Sequence, residues 1–207
     1  MPQVVLENVT FSYVHVFEAR RRKKTDPKKF SCCVLIDKNN ASTMEALKQA
    51  QKDAINEGIA QGKWTAAMVG TLKLPIRDGD GELKMELKKG DEWVGRVFVN
   101  ANSLEKYPPG IAKPEGGEAV TIKDPLEIYS GCKGHAYLSF YPFKGSESKG
   151  IAVGLNGLYK LEDGERLDGR IPASSVFADY AREDDAGNEG TDPVTPEPFS
   201  EKHSPFE

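Results

Sequence analysis

The sequence predicts a mainly β fold, a small closed or partly closed barrel, and three features carry that expectation. Short runs alternate apolar with polar residues, one early stretch has helical periodicity, and Gly/Pro-rich connections separate them. Residues 9–17 and 30–36 read as the first two strands, rich in aromatic and β-branched side chains. Ser42-x-x-Glu45 has the spacing of a capping box, Met44, Leu47, Ala50, Ala54 and Ile55 follow at helical intervals, and Gly58 reads as a stop. These predict a helix over 42–58. Residues 64–75 are mixed and Arg77-Asp78-Gly79-Asp80-Gly81-Glu82 reads as a turn, while residues 93–100, 119–122, 135–143 and 151–161 read as further strands. With 207 residues and no internal repeat, one domain over 1–178 and a tail over 179–207 account for the chain.

Composition excludes several classes. No stretch approaches the ~20 consecutive apolar residues of a membrane-spanning helix, and the opening MPQVVLENVT has neither the basic nor the apolar region of a signal peptide. A protein that is neither membrane-bound nor secreted is expected. Cys32, Cys33 and Cys132 lack disulfide-framework and zinc-ligand spacing, which suits a reducing cytoplasm. The formal net charge of -4 at first argues against a polyanionic partner. Of the 28 basic and 32 acidic residues, however, residues 179–207 hold 2 and 9, so the tail carries -7 and the body +3. Four prolines and few aliphatic side chains leave that tail too little apolar area to offset the entropy of ordering it, and disorder is expected. It ends Ser204-Pro205-Phe206-Glu207, an aromatic near the tip of an acidic leash, which fits either a peptide ligand or a solubilising tail.

The body has its own polarity. Residues 20–29 carry seven positive charges between the first two strands, where a hairpin loop would leave them exposed at the mouth of a sheet. Nearby strands are aromatic. In residues 135–143, Ala136, Leu138 and Phe140 form one face, and His135, Tyr137, Ser139, Tyr141 and Phe143 the other. In the first strand, Phe11, Tyr13, His15 and Phe17 should share a face opposite Ser12, Val14 and Val16. Rings with polar tips beside a cationic loop suit single-stranded nucleic acid, whose unpaired bases stack for ~1–3 kcal/mol each while Lys and Arg neutralise phosphates. Barrel lining is the competing role for each ring taken alone.

Catalytic motifs are not found. No phosphate-cradling Gly-rich loop, nucleophile elbow or zinc-protease helix occurs, and residues 78–82 lack the further ligands of a calcium loop. Asp78, Asp80 and Glu82 could in principle assemble the metal site of a nuclease, although their spacing does not demand it. No metal, cofactor or catalytic residue is assigned.

One resemblance gathers these features. In chain order, Phe11-Ser12-Tyr13-x-His15-x-Phe17-Glu18, Phe30-Ser31, Ile36-Asp37-Lys38, Leu74-Pro75-Ile76-Arg77-Asp78-Gly79-Asp80, Phe98-Val99-Asn100-Ala101, Ile128-Tyr129-Ser130-Gly131-Cys132-x-Gly134 and Lys149-Gly150-Ile151-Ala152-x-Gly154-Leu155-Asn156 resemble a bacteriophage family of the DUF2815 type. Its members are similar to phage single-stranded-DNA-binding proteins. The resemblance covers about residues 5–178 and implies an OB-fold, here an OB-fold-like five-stranded Greek-key barrel with one inserted α-helix and extended loops. It also implies a nucleic-acid face across strands 2 and 3, flanked by the loop between strands 1 and 2. The acidic tail is similar in style to tails that recruit replication partners, except that Glu207 follows Phe206.

The expected function is non-catalytic: binding and protecting single-stranded DNA in phage DNA replication or recombination, in the host bacterial cytoplasm. The expected DNA-binding cations are Arg20, Arg21, Arg22, Lys23, Lys24, Lys28 and Lys29, and the expected rings are Tyr13, His15, Trp93, Tyr137, Tyr141 and Phe143. In the tail, Asp184, Asp185, Phe199 and Phe206 are expected to meet replication or recombination proteins and, by charge, to compete with DNA for the groove. Duplex DNA as a weaker ligand and a homodimer stay open. The alternatives are a metal-dependent nuclease and a protein-interaction module.

Overall fold

Residues Gln3–Arg20 form one strand, β1, of 18 residues, twice the length that the alternation over 9–17 predicts. The computed structural model describes residues 1–88 and 90–167, so the expected disordered tail and the boundary at 178 lie outside the described residues. After β1 come β2 (Lys29–Asp37), helix α1 (Ala41–Ala60), β3 (Arg77–Asp78), helix α2 (Gly79–Lys84), β4 (Arg96–Leu104), β5 (Gly110–Glu115), β6 (Glu118–Thr121), β7 (Lys133–Lys144) and β8 (Lys149–Glu162).

The length of β1 has a topological reason. Its first half pairs with β7, from Gln3 opposite Ser139 to Thr10 opposite Lys133, and its second half pairs with β2, from Thr10 opposite Leu35 to Arg20 opposite Lys29. Register shifts after Leu6 and after Ser12 accompany left-handed residues, Asn8 at φ 53° and Tyr13 at φ 47°, and bend the strand between its two partners. β4 then pairs antiparallel with β2, β8 with β7, and a single parallel pairing of Asn102 in β4 with Gly154 in β8 closes the ring β1-β2-β4-β8-β7. This closed five-stranded barrel is the OB-like core expected. Three further strands extend the sheet: β3 at the outer side of β4, and the β5–β6 hairpin alongside β8.

The barrel interior takes Leu6, Val9 and Phe11 from β1, Cys32, Val34 and Ile36 from β2, Val97, Val99 and Ala101 from β4, and Ala136, Leu138 and Phe140 from β7, all buried. Phe11 therefore does not share a face with Tyr13. The bulge after Ser12 breaks the period of two, so Phe11 and Ser12 are both buried while Tyr13 turns outward. The unbroken apolar run of β2 also has a cause in packing: Cys33 and Leu35 on its outer side join Phe98 and Trp93 in a second, smaller cluster.

α1 lies against β1 and β7 with Leu47, Ala50 and Ala54 turned into the core. It starts two residues before the expected capping box: the cap is Asn40, whose Oδ1 accepts from the Thr43 amide, and Ser42 Oγ donates to the same oxygen. Gly58 does not stop it. The helix runs on to Ala60 and is closed by Gly62, φ 66°, where the Gly62 amide donates to the Ile59 carbonyl and the Lys63 amide to the Gly58 carbonyl, a Schellman arrangement. Gly58 instead makes room for Trp64, whose indole folds back and donates to the Ile55 carbonyl at 3.2 Å. The mixed stretch after it holds a 3-10 turn, Ala66–Thr71. The expected turn at 77–82 is instead β3 running into α2, capped by Asp78, and the expected strand at 93–100 begins only at Arg96.

Gly58 allows a direct check on this packing. A Cβ there would lie 2.0 Å from Trp64 Cζ2, so Gly58→Ala should destabilise the fold by about 1–3 kcal/mol through overpacking, although Ala favours a helix by about 1 kcal/mol. Urea unfolding measures it, and a stabilised variant would show that the indole yields freely.

Candidate nucleic-acid interface

The seven cations of residues 20–29 lie where β1 hands over to β2. The eight residues between the strands turn back through a hydrogen bond from the Asp26 amide to the Lys23 carbonyl, and Arg21 Nη1 donates to the Lys24 carbonyl at 3.3 Å. All seven side chains are exposed, as their hydration requires. Beneath the loop lies a groove of about 630 Å³, walled by Arg20, Arg21, Arg22 and Lys29, with Asp26 and Pro27 at one edge and His15, Ser31 and Asn102 as its floor. The floor is one row across three strands, His15 opposite Ser31 and Ser31 opposite Asn102. The row continues over the barrel closure to Gly154.

The cations are weakly held. Arg20 approaches Glu18 at 3.7 Å and Lys28 approaches Glu105 at 3.2 Å, both pairs well exposed. Such pairs contribute about 0–1 kcal/mol and exchange readily. Lys23 and Lys24 sit at the loop tip beyond the groove walls. Burial in the groove, with the Arg20 guanidinium adding to it, holds the His15 imidazole below the ordinary histidine range, against the opposing pull of Glu18. At neutral pH the groove's charge therefore comes from its arginines and Lys29.

The expected rings separate into three groups. Tyr13 is 54% exposed beside the groove, and Tyr141 is half-buried, its Cε1 3.7 Å from where a Cβ on Gly154 would stand, so it borders the floor row. Phe143 is half-buried opposite Gly150 at the end of the β7–β8 hairpin. Tyr137 is 40% exposed on another side of the barrel, opposite Val5, and its hydroxyl donates to Gln3 Oε1 at 2.7 Å. Trp93 is a correction: it is fully buried, edge-on to Phe98 at 4.9 Å. Gly90, at φ 106°, and the 3-10 turn Asp91–Trp93 swing it inward onto β4 rather than along a strand face. Asp184, Asp185, Phe199 and Phe206 lie outside the described residues.

The sequence does not single out Ser31 and Asn102, because a lone polar residue on an outward strand position carries no signal until the partner strands are known. The three carboxylates considered for a nuclease are not gathered around a common point. Lys38 Nζ lies between Asp78 and Asp80 at 2.5 and 2.6 Å, and Arg77 pairs with Glu82. Among the described residues no group of His, Cys, Asp and Glu is arranged to hold a metal ion, and no helix is long and apolar enough to cross a membrane. Burial pushes the Cys33 thiol up to about 12 and Cys32 higher still, which leaves neither as a nucleophile at neutral pH.

A family described as Enterobacter phage Enc34, ssDNA-binding protein, matches residues 2–187. The chain belongs to this family. Among curated proteins no relative matches. Solved structures repeat the fold of this Enc34-family chain. The single-stranded DNA-binding protein from bacteriophage Enc34 in complex with ssDNA is similar at 19% identity and a TM-score of 0.63, covering 80% of this chain and 89% of that one. Another structure of the single-stranded DNA-binding protein from bacteriophage Enc34 gives 21% identity, a TM-score of 0.55 and coverage of 84% and 89%. Gp2.5, a single-stranded DNA-binding protein encoded by bacteriophage T7, gives 11%, 0.53, 83% and 98%.

For this Enc34-family member, Trp93 should behave as core. Trp93→Ala is expected to cost about 3–5 kcal/mol of unfolding free energy, read by chemical denaturation. A variant of unchanged stability would return Trp93 to the set of surface rings.

Proposed function

We propose that this protein binds and protects single-stranded DNA, without strong sequence preference, during phage DNA replication and recombination in the host cytoplasm. The observation that carries this reading is the exposed, weakly paired cationic groove between β1 and β2, on a chain of the Enc34 single-strand-binding family. The neighbouring relative in complex with ssDNA supports the same ligand class.

The binding is electrostatic in its larger part. Arg20, Arg21, Arg22 and Lys29 line the phosphate track, and Lys23, Lys24 and Lys28 extend it along the loop. Bases lie over the floor row, where Tyr141 offers a ring face, and toward Phe143 farther along β7. Backbone phosphates are the same in every sequence, so a groove of this kind discriminates little among bases. Duplex DNA, whose bases are turned inward, gains the phosphate contacts alone and binds more weakly. No step of bond making is involved, in keeping with the carboxylates engaged by Lys38 and Arg77. Residues 1–178 form the binding domain and residues 179–207 a separate acidic element. That element's charge of -7 makes it an intramolecular competitor for the groove and, through Phe199 and Phe206, a ligand for replication or recombination proteins.

Two measurements test this. Replacing Arg20, Arg21, Arg22, Lys23 and Lys24 by Ser should weaken binding to single-stranded DNA and flatten its log–log salt dependence by about 0.7 for each phosphate that is no longer neutralised. Binding that survived with the same slope would place the site elsewhere. Deleting residues 182–207 should tighten binding at low salt, and an unchanged affinity would remove the competitor role while leaving DNA binding intact.

A further inference from the structure

The cationic groove adjoins a feature that its walls do not explain. Tyr13 stands at the second bulge of β1 with φ 47°, a left-handed conformation that a bulky side chain adopts only at a cost. The strain does not serve burial, because the turn leaves the ring 54% exposed, while its neighbour Ser12 is buried. One face of the ring lies toward Trp93, 6.3 Å between centroids and 27° from parallel. Over the same rings comes Lys88, from the segment after α2. Its ammonium is 4.3 Å from the Trp93 centroid, 5.2 Å from Tyr13 and 5.5 Å from Phe98. Among the described residues no carboxylate pairs with Lys88. An exposed ring on a strained backbone, two residues along β1 from His15 on the groove floor, thus lies beside a cation that has no carboxylate partner among the described residues.

From this geometry we infer that Tyr13 and Lys88 form a nucleotide-binding subsite for single-stranded DNA, extending the groove along β1 past His15. A base stacks on the open part of the Tyr13 ring, and Lys88 neutralises the adjoining phosphate. Buried Trp93 and Phe98 serve as the platform that holds both. The bulge is what aims the ring, since an unbulged strand would alternate it differently against Phe11. The inference rests on the proposed function and adds to it a subsite that the basic loop does not include.

The test uses the full-length chain and an oligothymidylate longer than the about 4–16 nucleotides an OB-fold covers, titrated by fluorescence anisotropy across a salt series. Tyr13→Gly and Tyr13→Asn place residues that tolerate φ 47° at the bulge. Both should keep or raise the melting temperature and weaken binding about tenfold. Lys88→Gln should make the salt slope shallower by about 0.7. If both Tyr13 variants lower the melting temperature with affinity unchanged, the ring is structural and the subsite is overturned. An unchanged slope for Lys88→Gln overturns the phosphate contact. A wild type that binds while all three variants match it overturns the subsite alone, whereas a wild type that does not bind overturns the proposed function and the subsite with it.

Discussion

Everything on the groove side of this molecule depends on one strand serving two partners. A five-stranded barrel closes only if β1 pairs with β7 along its first half and with β2 along its second, and a single flat ribbon cannot reach both. The chain meets that constraint with two bulges marked by left-handed residues, Asn8 and Tyr13. The second bulge changes which residues face out. It sends Phe11 into the core and brings Tyr13 to the surface beside the floor of His15, Ser31 and Asn102. The same strand then ends at Arg20 and releases the basic loop over that floor. Barrel closure and groove formation are thus consequences of the same bend.

The other half of the arrangement is a division of labour between apolar and charged groups. The interior cluster from β1, β2, β4, β7, β8 and α1 holds the barrel, and a second cluster of Cys33, Leu35, Trp93 and Phe98 seals the outer side of β2 and β4. That second cluster supports the surface groups next to it, since Lys88 and Tyr13 both lie against the buried Trp93 ring. The cations need no such support. Long, hydrated side chains on an eight-residue connection cost the fold little, and their contacts with Glu18 and Glu105 are weak enough to exchange for phosphates. The ion pairs around Lys38 and Arg77 have a different role, tying α2 and β3 to the start of α1 and to one another.

By itself the sequence determined the class of fold, the approximate strands, the one long helix and the position of the basic loop, because each depends on periodicity or on a charge run within one segment. The apolar face of β7 is an instance: Ala136, Leu138 and Phe140 alternate in the chain and are buried together in the barrel. The tertiary structure decided what depends on contact between distant segments. Asn40 rather than Ser42 caps α1, with Asn40 and Thr43 donating to the Glu7 carbonyl of β1, a partner 33 and 36 residues away. Gly58 is spent on a tryptophan and not on a helix end. Trp93 and Tyr13, both aromatic and near polar residues in the chain, part company, one to the core and one to the surface. Their fates follow from a glycine turn and a bulge whose effect exists only once the neighbouring strands are paired, since a shift of one residue in register exchanges the two faces of a strand.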